Sequence, residues 1–350
     1  MAGTMGEIKV GILGASGYTG AELLRLLNDH PAASVRWLTA DRNAGQPVGS
    51  LFPHLAHLGL PDLLRLEDVA VDEVDVAFCC LPHGLTQKVV RGLPQTLRVI
   101  DLSADFRLRD QELYRKVYGK PHEAPELQER AVYGLTEHYG EAIREARLVA
   151  NPGCYTTTAE LPLIPLLKGR LIEPTGIIID AKSGVSGAGR AAREANLFTE
   201  ISEGLHAYGV ATHRHGPEID QCLSDFTEKP VTVTFTPHLV PMNRGILATI
   251  YVRLRSGATV EGLQSALEAA YREAPFVHVL PFKSLPATRH VRGSNNCLIA
   301  VHPSRVAGEA ILLSVTDNLL KGASGQALQN MNLMLAQDET AGLRGAPVFP

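Results

Sequence analysis

The sequence predicts an α/β chain of two domains, the first built on a parallel sheet and the second an α+β domain with a mixed sheet. Three features carry this expectation. Apolar strand-like runs alternate with helical stretches up to about residue 150, the order that builds a parallel sheet. A glycine-punctuated turn separates the first of these runs from the first helix. Beyond about residue 175 the runs alternate between apolar and polar residues, as strands do when one face of their sheet is covered. A chain of 350 residues also exceeds the roughly 250 that one core comfortably holds. The boundary is set near residue 150, with residues 1–150 and 151–318 as the two main bodies.

Taken in order, residues 7–13 (EIKVGIL) form the first strand, and Tyr18 to Asn28 the first helix, with Leu23, Leu24, Leu26 and Leu27 on its apolar face. Val35 to Thr39 is the second strand and closes a βαβ unit. Asp75 to Cys80, Arg98 to Ser103 and Arg147 to Gly153 read as buried strands. In the second domain Gly176 to Lys182, Val231 to Thr236, Gly245 to Leu254, CLIAVHP and EAILLSVTD read as strands. Glu261 to Ala274 is an amphipathic helix, and a last helix spans about Lys321 to Ala336.

With 45% hydrophobic and 20% charged residues the composition is that of a folded globular protein and not of a disordered chain. The net charge of −4, without a long basic run, argues against nucleic acid or an anionic membrane as partner and leaves a small molecule. The N-terminal stretch has no basic segment ahead of a long apolar one, and no run approaches a membrane span, so the chain reads as cytoplasmic. Five scattered cysteines without a C-x-x-C pair form neither a disulfide framework nor a zinc site, and no metal is expected.

Gly14-Ala15-Ser16-Gly17-Tyr18-Thr19-Gly20 lies between the first strand and helix. Its first glycine permits a tight turn, its second lets backbone N–H groups approach a pyrophosphate, and its third lets helix and strand pack closely. The open helix start then favours the anion. This is the nucleotide turn of a Rossmann domain, with Gly14, Ser16, Gly17, Tyr18, Thr19 and Gly20 at the cofactor. After the second strand, Arg42 suits the 2′-phosphate of NADP and Asp41 the free hydroxyl of NAD. The reading favours NADP and does not exclude NAD. Pro82, in Leu81-Pro82-His83-Gly84 after a later strand, takes a position at the cofactor's edge.

Cys154 follows Asn151-Pro152-Gly153 and opens a helical stretch. A thiol there meets the positive end of the helix dipole and free N–H groups, which favour the thiolate and can hold an oxyanion. Pro162 and Pro165 are expected to kink or shorten that helix. Cys79, Cys80, Cys222 and Cys297 read as small buried hydrophobes. Proton transfer is assigned to the segment Thr212 to Glu218, where His213 and His215 share one side if the chain is extended. Pro217 there puts Glu218 in the first turn of a helix, from which it could orient a histidine. Zinc on this pair is weak, since no third ligand is evident. Lys182, Ser183, Ser186 and Arg190, in a glycine-broken loop after GIIID, suit a phosphate or carboxylate, and Arg107 is a weaker candidate.

GASGYTGAELLRLL, NPGCYTT, KSGVSGAGR, HRHGPEI and DNLLKGASGQALQNMN, in order from Gly14 to Asn332, together resemble the N-acetyl-γ-glutamyl-phosphate reductases, arginine-biosynthesis relatives of aspartate-semialdehyde dehydrogenase. The resemblance implies NADPH-dependent reduction of N-acetyl-glutamyl 5-phosphate to the 5-semialdehyde through a thioester on Cys154, with His213 or His215 as acid–base and His213 preferred. It implies that the segment 319–350 returns as a helix to the Rossmann domain, that Asn318 meets the nicotinamide carboxamide, and that Gly322, Ser324 and Gly325 lie near the cofactor. Ser183 and Gly184 fall to the cofactor in this assignment, and Asn151, Lys182, Ser186 and Arg190 to the substrate. A homodimer or homotetramer built through the second domain's sheet is also implied. The rival readings are a lysine-branch reductase of a carrier-bound aminoadipyl phosphate, aspartate-semialdehyde dehydrogenase itself, and a dinucleotide sensor without catalysis. The sequence around Cys154, the lack of basic surplus, and the presence of both Cys154 and the histidine pair weigh against the first and the last.

Overall fold

A computed structural model describes residues 6–349. The first five residues, part of the stretch read above for a leader, and Pro350, the end of the segment expected to return, lie outside the described residues. The chain forms two compact units. The first runs to Pro152 and includes Ala323–Arg344, and the second is Gly153–Gly322 with the tail from Gly345.

The first unit carries seven strands, β1 (Ile8–Leu13), β2 (Ala33–Thr39), β3 (Leu63–Leu64), β4 (Val76–Cys79), β5 (Arg98–Asp101), β6 (Val132–Tyr133) and β7 (Leu148–Ala150). All pair in parallel, in the order β3-β2-β1-β4-β5-β7-β6. The four residues of β4 are completely buried, as a central parallel strand requires. The chain leaves β1 towards β2 and comes back on the other side at β4. The carboxyl ends of β1 and β4 therefore flank the point where strand order reverses, the usual ligand crevice of such sheets. One core cluster packs Leu13, Trp37, Ala77, Cys79, Val90 and Phe106 against the sheet. The segment 319–350 is not one helix: a π-helical turn over Leu320–Ser324 precedes the helix Gly325–Met334, and Val348 donates its N–H to the Arg292 carbonyl of the second unit's own loop.

The second unit carries β8 (Ile178–Gly184), β9 (His206–Ala207), β10 (Thr234–Val240), β11 (Ile246–Arg253), β12 (Val277–Val279), β13 (Cys297–Pro303) and β14 (Glu309–Thr316). Their order is β12-β13-β14-β11-β8-β10-β9, with β8/β10 and β12/β13 parallel and the remaining pairs antiparallel. The helix Cys154–Lys168 packs on β11 and β14 and is flanked by the helices His215–Ser224 and Val260–Ala270. On the opposite face Ile178 and Tyr251 are exposed.

Three expectations for this unit need correction. Pro162 and Pro165 do not break their helix, which runs unbroken for 15 residues. Pro165 removes the N–H that would serve the Leu161 carbonyl, and the Tyr271 hydroxyl donates to that oxygen instead, at 2.5 Å. The strand expected over Val231 to Thr236 starts at Thr234, because the Val231 and Val233 N–H groups go to Ser224 and Asp220 at the end of a helix. Lys182 and Ser183 lie inside β8 and not in a loop after it. Among the described residues no helix is long and apolar enough to cross a membrane.

Candidate active site

In the first unit, Gly14 takes φ +80°, and a Cβ there would come 2.7 Å from the Cys80 carbonyl. Its N–H donates to the Thr39 hydroxyl at 3.1 Å. Gly17 is the extended N-cap of the helix Tyr18–Asn28, with no side-chain cap and nothing within 4 Å of a would-be Cβ. That leaves an open helix start whose N–H groups suit an anion. Gly20 packs so close that a Cβ would meet the Ala15 carbonyl at 2.5 Å. Thr19 accepts a hydrogen bond from the Ser324 hydroxyl, and Ser16 and Tyr18 border the turn at the surface. Asp41 and Arg42 are both exposed just past β2, and Pro82 is exposed past β4. The turn can cradle a pyrophosphate.

The loop holding Pro82 is fixed by an aspartate that sequence reasoning missed. Asp105 is buried, lies 2.6 Å from His83 Nδ1, and accepts from the N–H groups of Gly84 and Thr86 at 2.7 and 2.9 Å. Burial alone would raise its carboxyl, but His83 and the N–H groups of Gly84 and Gln87 hold it below the usual range. His83 sits inside a segment already singled out, but nothing local says that it meets Asp105.

In the second unit, Cys154 is the first residue of its helix and half-buried, with Gly153 as extended N-cap. Glu218, buried, accepts the Gly153 N–H at 2.8 Å and lies 3.0 Å from the Thr156 hydroxyl. Its carboxylate therefore fixes the turn that presents the thiol. The His215 ring lies against the same turn, where a Cβ on Gly153 would fall on it. His213 and His215 are not extended; His215 opens a helix, and its N–H donates to His213 Nδ1 at 3.1 Å. The rings still stand 4.7 Å apart. Because His213 Nδ1 accepts, its neutral ring carries hydrogen on Nε2. Burial, helped by the Arg214 charge, pushes its pKa down to about 4. Tyr155, Tyr208 and Phe235 surround the His213 ring. The Tyr208 hydroxyl donates to that of Tyr155, which donates to the His238 carbonyl. Burial raises both phenols, Tyr208 to about 12, with the Cys154 charge contributing, so both stay protonated donors. Gly322 lies against Cys154 from another side, since a Cβ there would come 2.8 Å from that of Cys154. Such an enclosure, with a thiol on a helix start and imidazole and phenol donors around it, suits covalent acyl chemistry.

Comparisons with known proteins show the family. Residues 9–146 match the family model described as semialdehyde dehydrogenase, NAD binding domain, and residues 154–318 the one described as semialdehyde dehydrogenase, dimerisation domain. The chain is 58% identical to N-acetyl-γ-glutamyl-phosphate reductase of Rhodospirillum rubrum over 349 residues, covering 98% of this chain and 99% of that one. It is 57% identical to a probable chloroplastic N-acetyl-γ-glutamyl-phosphate reductase of Arabidopsis thaliana, covering 98% and 86%. The chain belongs to the N-acetyl-γ-glutamyl-phosphate reductase family. Two aspartate-semialdehyde dehydrogenase structures share its fold. That of Vibrio cholerae, complexed with ASA, has TM-score 0.73 at 18% identity over 95% and 99% of the chains, and that of Candida albicans with NADP has 0.69 at 16% over 96% and 99%.

As a member of this reductase family the chain is an oxidoreductase with a nicotinamide-dinucleotide-binding domain, and the lysine-branch and sensor readings are not favoured. Several residues expected at its ligands are engaged by the protein itself. Lys182 pairs with Asp180 at 2.8 Å, on the strand face opposite buried Ser183. Asn151 donates to the Ala323 carbonyl and accepts from Asn330. Asn318 accepts the Gly245 N–H at 2.7 Å and donates to Ser186 at 2.9 Å. Gly184 packs on the Asn243 backbone, Arg107 is buried with Nη2 on the Leu102 carbonyl, and Arg190 is exposed. Among the described residues no group of three or more His, Cys, Asp or Glu could hold a metal.

Proposed function

We propose that this enzyme reduces N-acetyl-glutamyl 5-phosphate to N-acetyl-glutamate 5-semialdehyde, with NADPH as reductant and release of phosphate. The seating of Cys154 carries the reading: the thiol starts a helix whose turn is fixed by Glu218 and flanked by His215. His215 takes the thiol proton, and Sγ attacks the acyl carbon. The bond from that carbon to the phosphate oxygen breaks, phosphate leaves with the electron pair and collects the proton from His215, and the acyl group stays on Cys154 as a thioester. N–H groups of the first helical turn stabilise the oxyanion of each tetrahedral species. When bound, the nicotinamide supplies the hydride that reduces the thioester carbonyl. Breaking the C–S bond then frees the aldehyde and returns the thiolate, which recovers a proton from water. His215 is preferred to His213 for proton transfer, because the low pKa of His213 makes it a poor base and its Nδ1 already serves to orient His215.

The turn around Gly14, Gly17 and Gly20 fits the pyrophosphate, and exposed Arg42 suits the 2′-phosphate that distinguishes NADP. A homo-oligomer formed through the sheet face that exposes Ile178 and Tyr251 is part of the reading, supported by the match to a dimerisation-domain model. Five cysteines outside any disulfide suit a reducing compartment such as the cytoplasm.

The reaction is tested in reverse, with N-acetyl-glutamate semialdehyde, phosphate and NADP, following absorbance of the reduced nicotinamide. Wild type turns over and Cys154→Ala does not. No turnover by the wild type overturns the reading, and faster turnover with NAD overturns the NADP preference.

A further inference from the structure

Asp317 closes β14's exit towards the turn that returns to Cys154. It is completely buried, and its carboxylate gathers donors from three parts of the second unit. Arg244 approaches it with two nitrogens, Nε 3.0 Å from Oδ2 and Nη2 3.2 Å from Oδ1. The Gly293 N–H donates to Oδ2 at 2.8 Å, and the Leu319 N–H to Oδ1 at 2.9 Å. Two-point guanidinium pairing fixes the orientation of a carboxylate as well as its place. The backbone then continues the constraint: the Gly322 N–H donates to the Asp317 carbonyl at 3.0 Å, which closes the turn 317–322. That turn sets Gly322 against the nucleophile, where a Cβ would come 2.8 Å from Cys154 Cβ and 3.2 Å from its Cα. Only a residue without a side chain fits, and the backbone there forms one wall of the Cys154 side chain. Next to Arg244, the Gly245 N–H holds Asn318, which in turn holds Ser186.

We infer that Asp317, clamped by Arg244, is a positioning residue for Cys154: it holds the turn that seats Gly322 behind the thiol and so fixes the direction in which Sγ points. It touches no reacting atom. The inference rests on the reading of Cys154 as nucleophile, and goes beyond it by assigning the Asp317–Arg244 pair and Gly322 to that residue's alignment. A nucleophile displaced by a fraction of a near-attack distance loses rate while substrate binding is kept.

The test uses the full chain and two readouts. One is alkylation of Cys154 by iodoacetamide across pH, followed on the Cys154 peptide by mass spectrometry; the other is steady-state kinetics of the reverse reaction. Asp317→Asn is expected to slow alkylation roughly 10-fold and lower kcat roughly 10- to 100-fold, with KM for phosphate unchanged. Gly322→Ala gives the same pattern, and the double variant is no worse than the poorer single one, because both act on one turn. If Asp317→Asn does not fold, Arg244→Lys, which keeps the charge and loses the two-point geometry, shows the same changes at smaller size. Wild-type alkylation in a folded Asp317→Asn or Arg244→Lys, or losses that multiply in the double variant, overturns the inference. Alkylation needs neither substrate nor cofactor, so a wild type that reduces no acyl phosphate would defeat the proposed reaction, while an effect of Asp317 on alkylation would still support positioning.

Discussion

Two α-helices among the described residues begin on an extended glycine without a side-chain cap, at Gly17 and at Gly153, and their surroundings differ. Around Gly17 a Cβ would meet nothing within 4 Å, and the first helical residues are Tyr18 and Thr19. At Gly153 a Cβ would fall on His215, the N–H is taken by Glu218, and the first helical residue is a cysteine. Both starts present the positive end of a helix dipole. The open one has room for an anion brought by a ligand. In the proposed reaction the enclosed one directs the same field at its own thiol and at an oxyanion formed on it. What separates a binding turn from a reactive one is therefore the first helical residue and what crowds the cap.

Cys154→Ala should give the largest effect, lowering kcat by at least about 10³-fold while the dissociation constant for the dinucleotide, read by fluorescence titration, stays unchanged. A parallel loss of dinucleotide affinity would mean that the two helix starts are not separate in function. Glu218→Gln should follow, since it weakens the charge-assisted bond from the Gly153 N–H; urea unfolding should show a loss of roughly 1–3 kcal/mol, and alkylation of Cys154 should slow. Gly17→Ala should weaken dinucleotide binding roughly 10-fold, about 1.4 kcal/mol, because the new methyl group occupies the space left for the phosphate. Its melting temperature and Cys154 alkylation should match wild type; a drop in melting temperature would show that Gly17 serves folding instead.

The smallest effect concerns His213. Its folded pKa of about 4 lies below the ordinary value of 6.5, so on acidification the unfolded chain takes up this proton first. The stability associated with the neutral ring is complete above pH 6.5 and is lost as pH falls towards 4. His213→Gln should flatten the stability profile in that window, as measured by urea midpoints, and leave it unchanged above pH 7. A variant as acid-sensitive as wild type would contradict a neutral, buried His213.

The fold was legible where the information is local. Apolar runs such as VAFC and CLIAVHP became strands because each carries its own burial pattern, and the first glycine turn declares itself by spacing. Where a distant partner decides, the reading failed. In the helix after Cys154 the carbonyl that Pro165 leaves without a donor is served by a hydroxyl at Tyr271, over a hundred residues away. Lys182, Asn151 and Asn318 have the chemistry of ligand-binding residues, and their contacts with Asp180, with Ala323 and Asn330, and with Ser186 and Gly245 were not readable from the sequence. Cys154 and the histidine pair stand out locally, as a cysteine after a turn and as an H-x-H pair, and the structure brings His215 against the turn before Cys154. The role of Glu218 in holding the Gly153 turn depends on a contact 65 residues away, which spacing cannot reveal.

A chemical quench of the enzyme mixed with N-acetyl-glutamyl 5-phosphate, without reductant, followed by mass spectrometry of the Cys154 peptide, tests the covalent step most directly. The account predicts an acyl adduct on that cysteine, formed as phosphate is released and cleared once NADPH is added. Release of phosphate with the peptide unmodified, or an adduct that NADPH leaves in place, would contradict it.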